Sequence, residues 1–171
     1  MDPLMLVLRL LHILAGVFWA GAMAMLAFLL FPAIRATAPA GGQVMGYLMN
    51  VKKLSVWLNA AGLFTLLSGL GMIWHNSALS GGAWFRASSS HTFLLGGALA
   101  LLGGIIGSTV NRRTAVRIAA LGAQIQSGGA PPTAAQAAQM AALQTRLGKA
   151  MHTVAGLLLL AAAMMAIARY T

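Results

Sequence analysis

Residues 4–31 read LMLVLRLLHILAGVFWAGAMAMLAFLLF, 28 positions with one charge, Arg9. A helix over that stretch is about 42 Å long at 1.5 Å per residue, longer than the roughly 30 Å hydrocarbon core of a bilayer. It is too long for the apolar core of a signal peptide, although Ala20-Gly21-Ala22 imitates a cleavage site. An uncleaved first span is therefore expected, ended by Pro32 and the Pro39-Ala-Gly-Gly segment.

Three further apolar runs follow, at about 54–74, 91–110 and 149–168. Of the 171 residues 60% are hydrophobic and 7% charged, where soluble domains carry about 25% charged residues. The mean hydropathy of +0.84 agrees. The chain reads as one domain, residues 1–171, an all-α integral membrane four-helix bundle. The segment 43–53 is semi-polar, and a Gly/Ser-rich link over 76–90 carries Trp84 and Phe85 at headgroup level.

The third run does not stop where its apolar part does. Arg112, Arg113 and Arg117 are interleaved with Ala, Val and Ile, and no breaker appears before Ser127-Gly-Gly-Ala-Pro-Pro. Thr133-Ala-Ala-Gln136 is a capping box for the helix that follows. The third and fourth spans are thus expected to extend into a cytoplasmic helical hairpin over about 111–148.

Charge excludes several functions. Asp2 is the only acidic residue against eleven Lys and Arg, a net charge of +10. Basic residues at span ends serve topology and anionic headgroups rather than nucleic acid. Eight of the eleven, Arg35, Lys52, Lys53, Arg112, Arg113, Arg117, Arg146 and Lys149, fall in the two connections on one side. By the positive-inside rule that side is cytoplasmic. Both termini then face the periplasm of a bacterial inner membrane. No carboxylate is available in a span for proton-driven transport, no cysteine for thiolate chemistry, and no phosphate loop or triad for kinase or hydrolase chemistry.

Four histidines remain. His12, His75 and His91 share the outer level, and His152 lies on the opposite side. Neutral imidazole binds haem iron and copper, and facing helices can clamp a macrocycle between two of them. His12 and His91 are the expected axial pair, with a flat ring lying against Gly16 and Trp19 near its edge. His75 lines the same level. His152-x-x-x-Gly156 repeats the His12 spacing, but a second haem there would need Met23 or Met25 and is not expected. A copper set of His12, His75, Met72 and Met5 is the alternative. The alternative of another class is a cofactor-free scaffold or accessory subunit whose histidines are interfacial. Gly96, Gly97, Gly103, Gly104 and Gly107 let a backbone or ring approach the third span; as a packing seam they would also permit a homodimer.

Leu11-His12-Ile13 with Trp19 and Gly21, Ser68-Gly69-Leu70 late in the second span, the Trp84-Phe85 turn and Met165-Ala-Ile-Ala-Arg-Tyr170 at the end of the fourth together resemble a superfamily of four-helix membrane proteins. It includes the membrane-type protoporphyrinogen IX oxidases, which bind haem b, and the membrane domain of the copper-resistance D proteins. The resemblance covers nearly the whole chain, and only its first-span His is a sharp motif. It implies that His12 is a haem ligand. In the oxidase branch a Lys opens the third span; here Trp84-Phe-Arg-Ala-Ser-Ser-Ser-His91 has none, so His91 takes its place. Bis-His ligation favours electron transfer over substrate turnover. The expectation is a haem-b redox protein near the periplasmic face, extending to a haem-dependent membrane oxidoreductase, exchanging electrons with a redox partner or quinone. The copper branch implies copper uptake or resistance.

Overall fold

The computed structural model describes residues 2–37 and 40–171 and is helical throughout, with no strand among the described residues. Four helices are long and apolar enough to cross a membrane: Pro3–Ala36, Leu54–Leu79, Ser88–Ser127 and Ala134–Tyr170. They are called the first to fourth spans below.

The Asp2 carboxylate caps the first span by accepting from the Leu4 N–H at 2.9 Å, and Pro3 in the first turn forgoes a donor that would have no partner there. Pro32 does not end this helix, contrary to expectation; Pro39 lies outside the described residues. The backbone widens into a π turn at Leu26–Leu30, where the Phe31 N–H reaches the Leu26 carbonyl. Pro32 then sits in the first turn of the α-helical segment Phe31–Ala36, where its missing N–H costs little.

The semi-polar stretch after it forms a helix, Ala40–Asn50. At Gly41 a side chain would collide with the Ile34 backbone, so only glycine allows this helix to fold against the end of the first span. Lys53, at φ 53°, turns the chain into the second span. Gly81 and Gly82, at φ 56° and 84°, turn it out again. A short 3-10 turn, Ala83–Arg86, follows, and the Ser90 hydroxyl donates to the Trp84 carbonyl at 2.6 Å.

Glycines govern how the spans meet. Along the first and second spans, Trp19 lies on Gly62, Gly16 faces Thr65, His12 lies on Gly69 and Leu8 on Gly71, an antiparallel ladder. Along the third and fourth, Gly96 meets Met165 and the Ala161 carbonyl, and Gly103 meets Leu158. Each contact brings backbones close enough for dispersion, the main attraction between helices in lipid. The molecule is thus two tight helix pairs. Between the pairs, Trp19 reaches Gly104 and Phe31 reaches Gly148. Trp19, Met23, Leu26, Ala27, Met151, Val154, Ala155 and Leu158 form the shared core.

The outward faces are apolar: Leu14, Val17, Leu29 and Trp74 are each about 70% exposed. Such a surface is expected against hydrocarbon and is a liability in water. The third and fourth spans, at 40 and 37 residues, are about 55–60 Å long. The third passes through a second π turn at Gly107–Asn111, and its continuation, Arg112–Ser127, packs along the start of the fourth span. The capping box forms as expected. The Thr133 hydroxyl accepts from the Gln136 N–H at 3.3 Å, and the Gln136 side chain accepts from the Thr133 N–H at 2.9 Å.

Candidate functional site

His12 lies at the meeting of the first, second and fourth spans. Its Nδ1 is 2.8 Å from the Thr65 carbonyl oxygen. A carbonyl only accepts, so Nδ1 carries the proton and donates. Helical bonding uses one lone pair of that oxygen, and the imidazole takes the other. The approach depends on Gly69, where a Cβ would stand 3.1 Å from His12 Cε1 and 3.3 Å from Nδ1. The Ser68 hydroxyl, 3.4 Å from Nδ1, gives its one proton to the Phe64 carbonyl at 2.5 Å and stands 3.1 Å from the Thr65 oxygen. Thr65 sends its own hydroxyl to the Ala61 carbonyl at 2.7 Å.

With Nδ1 protonated, the lone pair of the neutral ring is on Nε2. That atom faces Met165 Sδ at 3.4 Å. In the neutral ring both atoms are acceptors, so neither satisfies the other. Met165 is backed by Gly96, whose Cβ would come within 3.2 Å of Met165 Cγ. A pinned imidazole nitrogen and a pinned thioether sulfur, brought from different helix pairs, thus converge. The combination is soft and neutral, the kind of donor set that selects Cu(I) and that also serves as the axial pair of some haems. A carbonyl that orients the far ring nitrogen is the usual outer support of a metal-ligating histidine.

The other expected residues are arranged differently. Gly16 is not bare floor for a macrocycle, because the Thr65 methyl fills the space beside it, 3.5 Å from where a Cβ would stand. Trp19 is 7% exposed, with its indole between Gly62 and Gly104. Both are closed by the second span. His91 is exposed in the first turn of the third span, and both ring nitrogens of His12 are directed at other atoms. The His75 Nε2 lies against the Asp2 carboxylate, a contact that lacks the geometry of a directed hydrogen bond. The contact links the beginning of the first span to the end of the second. Met72 is half-buried on the second span, and the sulfur beside His12 is that of Met165. His152 is exposed, donates from Nδ1 to the Gly148 carbonyl at 2.8 Å, and meets the Phe28 ring edge-on at 5.1 Å.

Met165, Thr65 and Gly69 are the site residues that sequence reasoning did not assign. A usable signal existed: Thr65, Ser68 and Gly69 lie on one helical face at the depth of His12. No cluster of three or more His, Cys, Asp or Glu side chains that could hold a metal occurs among the described residues. No family model, curated protein or solved structure matches the chain.

Proposed function

We propose that this chain is a multi-pass protein of the bacterial inner membrane that binds Cu(I) through His12 Nε2 and Met165 Sδ near the periplasmic face, serving copper uptake or resistance. The observation that carries this reading is the approach of Nε2 to a thioether sulfur at 3.4 Å while Nδ1 is held by the Thr65 carbonyl. Donors at that separation are within reach of one ion at metal–ligand lengths of about 2.0 and 2.3 Å, taking zinc values as the guide. Bound there, copper would supply one-electron chemistry or a transferable cargo. The chain's part is to fix the imidazole tautomer through Thr65 and hold Met165 against Gly96. The excess of Lys and Arg in 33–55 and 110–149 supports a cytoplasmic location for that end, with the paired extensions of the third and fourth spans protruding as a hairpin and both termini periplasmic.

Haem b in a redox role is the second reading. In its favour, His12 and Met165 belong to different helix pairs, so a flat group would enter at the boundary between pairs. Against it, the floor at Gly16 and Trp19 is filled by the second span.

The test uses full-length protein in detergent, titrated with Cu(I) under reducing conditions against a chromophoric chelator, with a visible spectrum of the protein as purified. One copper per chain, lost in His12→Ala and at least ten-fold weaker in Met165→Leu, supports the proposal. A Soret band that disappears in His12→Ala transfers the site to haem. Neither signal leaves the scaffold alternative.

A further inference from the structure

At the end of the bundle away from His12, two cavities flank residues 145–153 of the fourth span. One, of about 560 Å³, lies beside the end of the first span. The other, of about 650 Å³, lies beside Val110 and the second π turn. Their positions follow from the backbone. The first span departs from α-helical winding at Leu26–Leu30 and the third at Gly107–Asn111. A π turn re-aims the helix beyond it. The fourth span continues as α-helix from Ala134 to Ile167, so a groove opens on each side of it. Lys149, Thr145 and Thr153 line both grooves.

The first groove has two kinds of wall. Phe31 and Pro32 are apolar, while Arg35, Lys149 and two threonine hydroxyls are polar. Toward the middle of the span, the half-exposed Phe28 ring meets His152 of the same groove edge-on at 5.1 Å. Arg35 and Lys149 have no carboxylate of their own chain to pair with. Asp2 is the only acidic residue, and it is engaged with His75 at the start of the first span. Two exposed cations side by side attract an external anion, and the wall beside them suits a ligand that is anionic at one end and hydrocarbon at the other. Free phosphate would use only the polar side.

We propose that the groove between the end of the first span and residues 145–153 of the fourth is a binding site for an acidic glycerophospholipid, with its phosphodiester held by Arg35 and Lys149 and an acyl chain along Phe31 and Phe28. The assignment does not depend on what His12 binds. The Thr145 hydroxyl is available as a neutral donor to the same phosphate, the Thr153 hydroxyl donates to the Lys149 carbonyl at 3.1 Å, and Arg146 on the second groove extends the positive field around Lys149.

The test is native mass spectrometry of the full chain in detergent, titrated with phosphatidylglycerol, phosphatidylcholine or inorganic phosphate. Phosphatidylglycerol binds at least five-fold more tightly than phosphatidylcholine. Arg35→Gln and Lys149→Gln each weaken it about five-fold, the loss of one cation at an anionic headgroup. Arg86→Gln and Arg169→Gln change it less than two-fold. Lys149→Arg keeps the charge and the binding, which separates a lost contact from a lost fold. Equal loss in both sets of Gln variants, equal binding of the two lipids, or displacement of the lipid by millimolar inorganic phosphate would overturn the proposal.

Discussion

Substituting Gly69 by Ala tests the contact on which the His12 site depends. The added Cβ would stand 3.1 Å from His12 Cε1 and 3.3 Å from Nδ1, closer than an ordinary van der Waals separation of about 3.5–4.0 Å. The ring must give by a few tenths of an ångström. Its bond to the Thr65 carbonyl, now 2.8 Å, then lengthens toward the upper end of the range for N–H···O bonds, about 3.2 Å. Weakening a hydrogen bond and overpacking a seam each cost about 1 kcal/mol or more, while alanine returns up to about 1 kcal/mol of helix propensity. The net loss of stability is about 1–2 kcal/mol. Metal affinity should suffer more, because removing the outer support of a ligating histidine commonly costs about 10–100-fold. The assay is Cu(I) competition on detergent-purified protein, with helicity and thermal unfolding followed on the same sample. Gly97→Ala is the control, since a Cβ there meets nothing within 4 Å. Unchanged copper affinity in a folded Gly69→Ala protein would refute the role given to the Thr65 carbonyl.

Three other predictions concern the fold alone. Trp19→Ala empties the space between Gly62 and Gly104 and should cost about 3–5 kcal/mol in reversible unfolding from mixed micelles; a loss under 1 kcal/mol would mean that the two helix pairs do not meet there. Lys53→Gly relieves a left-handed residue and should stabilise by about 1 kcal/mol, read as a higher midpoint in the same assay. Thr133→Ala removes the capping box of the fourth span and should lower stability by about 1 kcal/mol, with amide exchange accelerated over 134–137 and not over 150–160.

Some of this structure was legible in the residues. Four apolar runs predict four long helices because backbone groups in hydrocarbon must be satisfied within the segment. Thr133 and Gln136 announce their cap because that motif is local. Pro32 misleads for the opposite reason: whether a proline breaks a helix depends on the winding before it, and a π turn at Leu26–Leu30 has no composition of its own. The glycines of the third span read as a close-approach surface, and Gly96, Gly103 and Gly104 do receive Met165, Leu158 and Trp19. What they receive was not readable, because a glycine records that something comes near without naming it.

Depth along a span follows from sequence position at a fixed rise per residue, so His12 could be placed on its helix from the sequence alone. Direction around the helix axis and the identity of the neighbour depend on how the two pairs dock. That choice is made by many small close-packing contacts spread over four spans. Only the tertiary structure therefore turns Nδ1 toward Thr65, gives Nε2 to Met165 from 153 residues away, and leaves His91 exposed.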